Sequence, residues 1–592
     1  MHKGKKGGVI KISIMLGFIM LAAFAVRFYN FHDWLYFKMD QARDAAMTSN
    51  SVLNGPMYLP LLGPRAGATK VPSGYLRLGP VFYYFQYIAG KIFHSTSPDV
   101  FAYPELFFSI AIIPLLYLFL RFYFSKRNSI LITIMYAFCF IVIEYSRFSW
   151  NPNSLPFFVI LSFYSLLKFL NEKVTKKKCW WIALCALSLS IGSQLHFFGF
   201  FSLVGIVGIV WLFHYEVWKK ETLIAFFKKE NLKKFLLYFL VFFVFFMLLY
   251  IPVIISEVFK HGQNSKNFIY AIGSKPKDKP LINKLATNAT EQIRYFSLIL
   301  TSFYYAAKDL KKNLFFPVSI TVLTLLSGIS LAIFYLRKKT EKIKKDFLIL
   351  LISWFAVFVV LSIPFAFQLR PRFFILVFPL PFIFLGFLFE FLEEKFKKYI
   401  SLGLIFAITA AVLFLNSYGT YAWFKEQKKS QIQGTTIRRT LILKNKDGVT
   451  LGQLQRVVDY MYQQRKEAAN IYYYVKPEHI SPIKYLLRLK QLDDPTLNFA
   501  PLTINSDPHA QYFAVVPDDS GTKSIENKFG KNFNIVSRAM FGQLTVYEIG
   551  ISDRNISANF RFNRDRGVSD RIFWKDVFGI KGDPNVKIEG GE

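Results

Sequence analysis

Apolar stretches of about 20 residues recur along the first 420 residues, and this feature limits the possible folds most strongly, because each stretch can cross a bilayer as one helix. Phe alone supplies 67 of 592 residues and hydrophobic types reach 53%, whereas soluble domains are about 45 to 50% apolar. The sequence therefore predicts a polytopic α-helical membrane protein with about eleven spans, near residues 10–28, 103–121, 129–146, 154–170, 180–196, 197–214, 235–255, 314–336, 347–365, 373–391 and 400–418.

Lys and Arg are concentrated in alternate connections between these stretches. By the positive-inside rule such connections face the cytoplasm. Lys3, Lys5 and Lys6 precede the first stretch, which carries no small-residue cleavage site, so we expect a retained span with a cytoplasmic N-terminus in the inner or plasma membrane. The clusters are Arg121/Lys126/Arg127, Lys173/Lys176/Lys177/Lys178, Lys219/Lys220 with Lys228/Lys229/Lys233/Lys234, Arg337/Lys338/Lys339 with Lys344/Lys345, and Lys395/Lys397/Lys398.

The net charge of +35 comes largely from these flanks. Basic span flanks lie beside anionic lipid and set topology. We therefore expect the lipid bilayer, and no nucleic acid, as the partner of this charge. The three cysteines, Cys139, Cys179 and Cys185, lie in or beside predicted spans, so no disulfide framework is expected.

Three segments are long and external in this topology: residues 29–102, 256–313 and everything after about 419. The first contains the apolar, Tyr-rich piece 79–90, which is too short to span and is predicted to lie in the membrane interface. The Gly and Pro residues of 62–69 predict a loop before it.

The C-terminal portion alternates helix and strand patterns. Helices are predicted near 451–465, 482–490 and 523–529, and strands at 470–475, 511–516 and in a pair around 535–549. We predict a transmembrane domain over 1–420 and a small extracytoplasmic α/β domain over 421–592, with a less regular tail after about Ile551. This domain contains no Gly-rich phosphate loop and no metal-ligand spacing, which favours a docking or acceptor-selecting role.

A charged group follows the first span directly. Asp40, Arg43 and Asp44 have the spacing i, i+3 and i+4, so on a helix they share one face, while Ala42, Ala45 and Ala46 allow close packing. A partly desolvated carboxylate beside the membrane can take a proton from an attacking hydroxyl. The same pattern also fits a solvated ion pair in a loop.

Two further polar groups lie at predicted external span ends. Arg147 lies in the segment 144–153 and is suited to bind phosphate, but the aromatic residues around it also fit an interfacial anchor. Gln194 and His196 lie at a tight hairpin between two spans, where a hydrated turn is the alternative.

Arg372 precedes a late span from the external side. An external Arg opposes the positive-inside trend, and a phosphate-bearing lipid at this face would account for it. The alternative is a flanking residue that snorkels to the interface.

The order of these motifs resembles the GT-C superfamily of integral membrane glycosyltransferases. The motifs are a loop Asp after span one, the Gly-Pro-x-x-Tyr-Tyr segment with Tyr83 and Tyr84, the corner Tyr-Ser-Arg-x-x-Trp-Asn-Pro-Asn with Asn151, a Gln-x-His hairpin, and an Arg-Phe pair before a Pro-containing span. Over residues 10 to about 420 the chain is most similar to the bacterial branch of dolichyl-phosphate-mannose protein mannosyltransferases and aminoarabinose transferases.

This resemblance implies a polyprenyl-phosphate sugar donor that is used on the external face with inversion at the anomeric carbon. The acceptor, a glycan, a lipid or a protein, stays open. Asp40 matches the family's essential acid and would be the base. Arg147 and Arg372 match basic positions near the donor phosphate, and the substrate-binding set is completed by Arg43, Asp44, Tyr83, Tyr84, Asn151 and His196.

The chain departs from the family pattern at Gln41, where the family often has Glu. This weakens the case for a carboxylate-bound metal, so no metal and no soluble cofactor are expected, and Asp44 is left as a possible substitute. A lipid or solute transporter is the main alternative function. Transporters place charged or broken elements near mid-membrane and often contain repeats, whereas the charged candidates here cluster at span ends.

Overall fold

The computed structural model describes residues 2–71, 74–273, 280–302, 315–430, 449–466, 470–502, 510–517, 521–529, 533–551 and 571–580. The predicted segment 256–313 and the predicted tail after Ile551 lie partly outside the described residues.

Helices dominate residues 2–430, as the apolar stretches predict. They are α1 (His2–Phe28), α2 (Met39–Asn54), α3 (Val81–Ile92), α4 (Tyr103–Leu120), α5 (Lys126–Ala137), α6 (Phe140–Tyr145), α7 (Leu155–Asn171), α8 (Thr175–Leu195), α9 (Phe197–Tyr215), α10 (Lys220–Phe226), α11 (Lys229–Leu248), α12 (Ile251–Phe259), α13 (Gln263–Gly273), α14 (Leu281–Thr301), α15 (Phe315–Arg337), α16 (Lys342–Ser362), α17 (Pro371–Phe374), α18 (Leu380–Lys395) and α19 (Lys398–Ser430).

Each of the eleven predicted spans coincides with helix, and the polytopic helical class is confirmed. By length and composition, seven helical segments among the described residues can cross a membrane, and the pair Pro371–Val377 and Leu380–Lys395, bent by 45°, makes an eighth. The remaining three predicted spans are not uninterrupted apolar helices of full length. Helix α7 has 17 residues, the stretch 129–146 is divided into α5 and α6, and α8 carries three lysines in its first turn.

The predicted cytoplasmic connections meet at one end of the helix bundle, which we call the basic end. Arg127 at the start of α5 pairs with Glu393 at the end of α18. Lys338 after α15 pairs with Glu394 at 2.7 Å, and Lys345 lies 3.9 Å from Glu216 after α9. Such contacts between exposed charges stabilise little individually, but they place four of the five basic clusters, all except the one at 173–178, at one end.

Short elements cover the opposite end. Amphipathic α2 and α3 pack against each other, and both lie between α1 and α4 in the chain. Their location in the membrane interface stays a prediction. The segment 62–69, predicted as a loop, instead enters strand β1 (Arg65–Val71), which pairs antiparallel with β2 (Gly74–Arg77). The hairpin is joined to α13 by mutual hydrogen bonds between Arg77 and Asn264, a long-range contact that local sequence does not reveal.

The C-terminal part is an α/β unit, and its predicted helices and strands are confirmed within a few residues. It contains α20 (Leu451–Gln463), β3 (Ile471–Val475), α21 (Pro477–Asp493), β4 (Phe499–Pro501), β5 (Gln511–Pro517), α22 (Lys523–Phe529), β6 (Phe533–Phe541), β7 (Leu544–Ile551) and α23 (Trp574–Val577). The strand order β4-β3-β5-β7-β6 combines parallel and antiparallel pairs. Helix α21 begins earlier than predicted because Pro477 suits the first helical turn.

Backbone pairing attaches this unit to the chain that leaves α1. The amides of Leu451 and Gly452 donate to the carbonyl oxygens of Leu35 and Asp33, and Tyr36 forms a bridge with Thr450. Helix α21 packs on α2. The α/β unit therefore lies directly against the helix that carries Asp40, Arg43 and Asp44.

Candidate active site

The face of α2 predicted from the i, i+3, i+4 spacing forms a three-residue ion cluster. Arg43 donates from Nη1 to Asp40 Oδ1 over 3.1 Å and from Nε to Asp44 Oδ1 over 3.0 Å. Ala42 and Ala45, each 1% exposed, let the opposite face lie against protein. The side chain of Asp40 is 46% exposed, whereas that of Asp44 is 1% exposed. The two carboxylates thus share one cation, but only Asp40 is accessible.

Asp44 is held by a third donor from the neighbouring helix. The Tyr83 hydroxyl on α3 donates to Asp44 Oδ1 over 2.8 Å. Burial raises the pKa of the Asp44 carboxyl, an effect that Arg43 and the Tyr83 hydroxyl oppose. Burial also acts to lower the pKa of Arg43, but the carboxylates of Asp44 and Asp40 outweigh it and raise that pKa. The guanidinium therefore stays charged and fixes the Asp40 carboxylate.

A second buried chain of hydrogen bonds joins α2, α3 and the corner after α6. Thr48 donates to Gln86 Oε1 over 2.7 Å, Gln86 donates to Ser149 Oγ over 2.8 Å, and Ser149 donates to the Phe101 carbonyl over 2.8 Å. Buried polar groups that are fully paired make an arrangement specific. These hydrogen bonds therefore fix where α2 lies relative to the membrane helices.

The Gly-Pro start of α3 has a steric reason. A Cβ at Gly79 would lie 2.1 Å from Gln194 Oε1, at the end of α8. Tyr84, in the same motif, points elsewhere: its hydroxyl lies 3.4 Å from the Pro60 carbonyl and accepts from Trp574 Nε1 at 3.0 Å, and burial raises its pKa to about 12. Tyr83 thus belongs to the Asp40 cluster, whereas Tyr84 contacts Pro60 and Trp574 instead.

Arg147 lies at the end of α1. Its guanidinium donates to the backbone carbonyls of Arg27 and, at 3.2 Å, Asn30, and it packs against the rings of Phe31, Trp423 and Phe424. Cations stabilise helix C-termini because carbonyl groups are left unpaired there. The predicted phosphate contact of Arg147 stays a prediction, and the geometry gives this residue a structural role.

Asn151 and His196 connect the corner to the turn between α8 and α9. Asn151 Nδ2 donates to the Leu195 carbonyl over 2.6 Å. His196 Nδ1 accepts from the Phe198 amide over 3.2 Å and so caps α9, while its ring lies edge-on to Phe373 at 5.7 Å. Both residues therefore lie next to the segment that carries Arg372.

Arg372 occupies the first turn of the bent pair α17 and α18. Within the described parts of the chain its guanidinium makes no hydrogen bond or ion pair, and it lies 5.9 Å from the Trp150 ring. The charge of Asp40 acts on it electrostatically. An unpaired guanidinium flanked by aromatic rings and half-buried is suited to bind an anion. The structure thus brings Asp40 and Arg372, from opposite parts of the sequence, to one region.

Gln41 caps the start of α2 and is shielded from solvent. It is 3% exposed, and its Oε1 accepts from the Lys38 amide over 3.3 Å at the start of α2. Within the described residues no group of three or more His, Cys, Asp or Glu side chains is arranged to hold a metal ion.

Sequence reasoning missed Arg571. Its Nη1 donates to the Tyr83 hydroxyl over 3.1 Å, although 488 positions separate the two residues. No local motif marks Arg571, and only its pairing with the first loop reveals it.

Comparison with known proteins identifies a related family. Residues 14–261 match the model of the family described as dolichyl-phosphate-mannose-protein mannosyltransferase. The matched range includes Asp40, Tyr83, Arg147 and His196, and Arg372 lies beyond it. No curated protein sequence is significantly similar to the chain.

Solved structures with some similarity to the chain include an archaeal oligosaccharyltransferase and ArnT. An archaeal oligosaccharyltransferase, AglB from Archaeoglobus fulgidus, in complex with an inhibitory peptide and a dolichol-phosphate, is 14% identical with a TM-score of 0.48, and the alignment covers 82% of this chain and 64% of AglB. ArnT from Cupriavidus metallidurans bound to undecaprenyl phosphate is 10% identical with a TM-score of 0.44, and the alignment covers 93% of this chain and 99% of ArnT. The chain thus spans slightly less than two thirds of AglB.

Proposed function

We propose that this protein transfers a sugar from a polyprenyl-phosphate donor to an acceptor hydroxyl. The family match over residues 14–261 supports this proposal and the resemblance to GT-C membrane glycosyltransferases. The observation that carries the proposal is the accessible Asp40 carboxylate, held by Arg43 and within electrostatic range of Arg372, which has no hydrogen-bond or ion-pair partner among the described residues. The acceptor is a protein, a glycolipid or a polysaccharide.

Asp40 is the general base of this reaction. The acceptor oxygen attacks the anomeric carbon, its proton passes to the Asp40 carboxylate, and the bond between the anomeric carbon and the phosphate oxygen breaks with its electron pair leaving on phosphate. Attack from the face opposite the leaving group inverts the anomeric configuration. A positioned base contributes about 10²- to 10⁴-fold to such a step.

Arg372 meets the negative charge that develops on the leaving phosphate. Its guanidinium is unpaired in the described structure and lies beside Trp150 and His196, at the start of the first arm of the bent helix pair. A cation that is already in place stabilises this charge without reorganisation at the moment of reaction. The polyprenyl chain extends into the bilayer beside the bent span.

The face that carries α2 is external in this proposal, and the basic end is cytoplasmic. Support comes from the positive-inside rule and from the ion pairs that gather the basic clusters at one end. The C-terminal α/β unit, which packs on α2 through α21, then lies outside the cell membrane and selects the acceptor.

The proposal is tested by incubating the purified protein in detergent with a panel of polyprenyl-phosphate sugars and an acceptor mixture, and by measuring free polyprenyl phosphate. We expect release with at least one donor, and loss of release in the Asp40→Asn variant. A transporter would release no lipid phosphate, and the absence of release with every donor would contradict the enzyme assignment.

A further inference from the structure

A short segment near the C-terminus, residues 571–580, lies on the first loop rather than on the α/β sheet. The Leu61 amide donates to the Ile572 carbonyl over 2.9 Å, the Trp574 amide donates to the Leu59 carbonyl over 3.2 Å, and Phe573 forms an antiparallel bridge with Pro60. We call this segment the strap. Its backbone pairing fixes it against the connection between α2 and α3.

Side chains of the strap reach both tyrosines of the Gly-Pro-x-x-Tyr-Tyr motif. Trp574 Nε1 donates to the Tyr84 hydroxyl over 3.0 Å, and Arg571 Nη1 donates to the Tyr83 hydroxyl over 3.1 Å. Arg571 is 5% exposed, and its guanidinium also lies 5.3 Å from the Tyr83 ring. A long charged side chain buried in this way loses conformational freedom and hydration, so its orientation toward Tyr83 is fixed by the strap.

Arg571 determines which hydrogen bond Tyr83 makes. A guanidinium can only donate, so the Tyr83 oxygen accepts from Arg571 and the Tyr83 O–H is left to donate to Asp44 Oδ1 at 2.8 Å. The same Asp44 oxygen accepts from Arg43, and Arg43 donates to Asp40 at 3.1 Å. The contacts thus form one continuous chain from the strap to the accessible carboxylate.

We propose that Arg571 is a positioning residue for the reaction, which acts through Tyr83, Asp44 and Arg43 to orient the Asp40 carboxylate. This inference rests on the proposed function, in which Asp40 is the base. Among the five hydrogen-bonded residues from Arg571 to Asp40, only Asp40 is substantially exposed, with 46% of its side chain accessible. Its orientation therefore depends on the buried members. A misplacement of about 1 Å in a reacting group can cost about 10²-fold in rate. We therefore expect a loss of this size in kcat when the hydrogen-bonded series from Arg571 to Asp40 is broken.

The test compares four variants of the full-length protein in the lipid-phosphate release assay. Arg571→Met and Tyr83→Phe should each lower kcat about 10- to 100-fold with the KM for the donor nearly unchanged. The double variant should be about as active as the slower single variant, because both changes break the same chain. Arg571→Lys keeps a cation and a donor, so its kcat should lie between those of the wild type and Arg571→Met.

Lys575→Met is the matched control. Lys575 belongs to the same strap but lies over the Tyr58 ring, 5.1 Å from its centre, and within the described residues no hydrogen bond or ion pair joins it to Tyr83, Asp44, Arg43 or Asp40. We expect wild-type kcat in this variant. An equal loss in Lys575→Met and Arg571→Met, or additive losses for Arg571→Met and Tyr83→Phe, would overturn the positioning role.

Hydrogen exchange supplies a readout that needs no turnover. In Arg571→Met, but not in Lys575→Met, the amides of residues 39–46 should exchange several-fold faster, because the first turn of α2 loses its support. If the wild type releases no lipid phosphate while exchange changes as expected, the proposed function fails and the link from Arg571 to α2 stands. If the wild type is active and neither kcat nor exchange responds to Arg571→Met, the positioning proposal alone is wrong.

Discussion

Arg488 Nη2 on α21 donates to Asn50 Oδ1 on α2 over 2.6 Å. This contact joins the C-terminal α/β unit to the helix that carries the candidate base. The Tyr485 hydroxyl, also on α21, donates to the Thr96 carbonyl in the connection between α3 and α4. Helix α2 is therefore enclosed by α3 on one side and by the α/β unit on another, which leaves the Asp40 end of the cluster accessible.

Replacement of the candidate base, Asp40, should lower the rate of catalysis without weakening donor binding. Asp40→Asn keeps the size and one hydrogen-bond acceptor but cannot take up the proton, so kcat should fall by about 10²- to 10⁴-fold. Donor affinity should change little because the base acts on the acceptor. Lipid-phosphate release and a donor-binding titration check the two expectations, and near-normal turnover would remove Asp40 from its role.

Asp44→Asn should act mainly on stability. Asp44 is buried and its Oδ1 receives donors from Arg43 and Tyr83, so loss of its charge leaves Arg43 with one carboxylate partner. We expect a loss of about 1.5 to 3 kcal/mol of stability, typical of hydrogen bonds to charged groups, and a smaller fall in kcat than in Asp40→Asn. Thermal unfolding in detergent provides the measurement. A fully inactive Asp44→Asn beside an active Asp40→Asn would place the base one helical turn further along.

Replacement of Arg372 should affect donor binding, whereas replacement of Arg147 should affect stability. Arg372→Ala should weaken donor binding by about 1.5 to 3 kcal/mol, because a charge-assisted contact to phosphate is lost. Arg147→Ala leaves carbonyls at the end of α1 without their donors, so it should lower the melting temperature. Titration with a polyprenyl phosphate, together with unfolding of each variant, distinguishes the roles. Weaker donor binding in a stably folded Arg147→Ala would restore the phosphate contact expected from sequence.

Orientation in the membrane can be tested by cysteine labelling in intact cells. Asp493→Cys lies at the exposed end of α21 and should react with a membrane-impermeant maleimide added outside. The native Cys179, within the lysine cluster at the start of α8, should react only after the membrane is permeabilised. The reverse pattern would invert the topology.

A contact of His32, in the connection after α1, with Gln455 of the α/β unit and with Asp99 should make the folding stability depend on pH. His32 Nδ1 lies 3.0 Å from Asp99 Oδ2, and Nε2 lies 2.9 Å from Gln455 Oε1 on α20. The hydrogen bond to Asp99 raises the pKa of His32. A raised pKa means that the charged form is stabilised by folding, so the contribution is fully present below the unfolded pKa of about 6.5 and is lost as pH rises through the folded pKa.

The measurement compares melting temperatures of the wild type and His32→Gln at pH 6 and pH 8. The wild type should exceed the variant by more at pH 6 than at pH 8. Because the His32 side chain is 46% exposed, solvent screening keeps the effect small. A pH-independent difference would show that charge on His32 contributes nothing.

The sequence by itself determined the class of the protein, the places of its apolar helices and most elements of the C-terminal unit, whereas α13, α14, β4 and α23 were not predicted. Runs of apolar residues and alternating strand patterns are local properties, and the bilayer enforces helix formation because unpaired backbone groups are costly in hydrocarbon. The shared face of Asp40, Arg43 and Asp44 also follows from helical periodicity alone. Only the exposed fractions distinguish the accessible Asp40 from the enclosed Asp44.

Tertiary structure decided which of the motif residues meet. Tyr83 joins the Asp40 cluster, whereas its neighbour Tyr84 contacts Trp574. Arg372 has no hydrogen-bond or ion-pair partner among the described residues, whereas Arg147 donates to a carbonyl at the end of α1. Arg571 enters the cluster through strand-like pairing with Leu59 and Leu61. These outcomes depend on contacts between residues hundreds of positions apart, which are set by packing of the whole chain and leave no periodic or compositional signal in the local sequence.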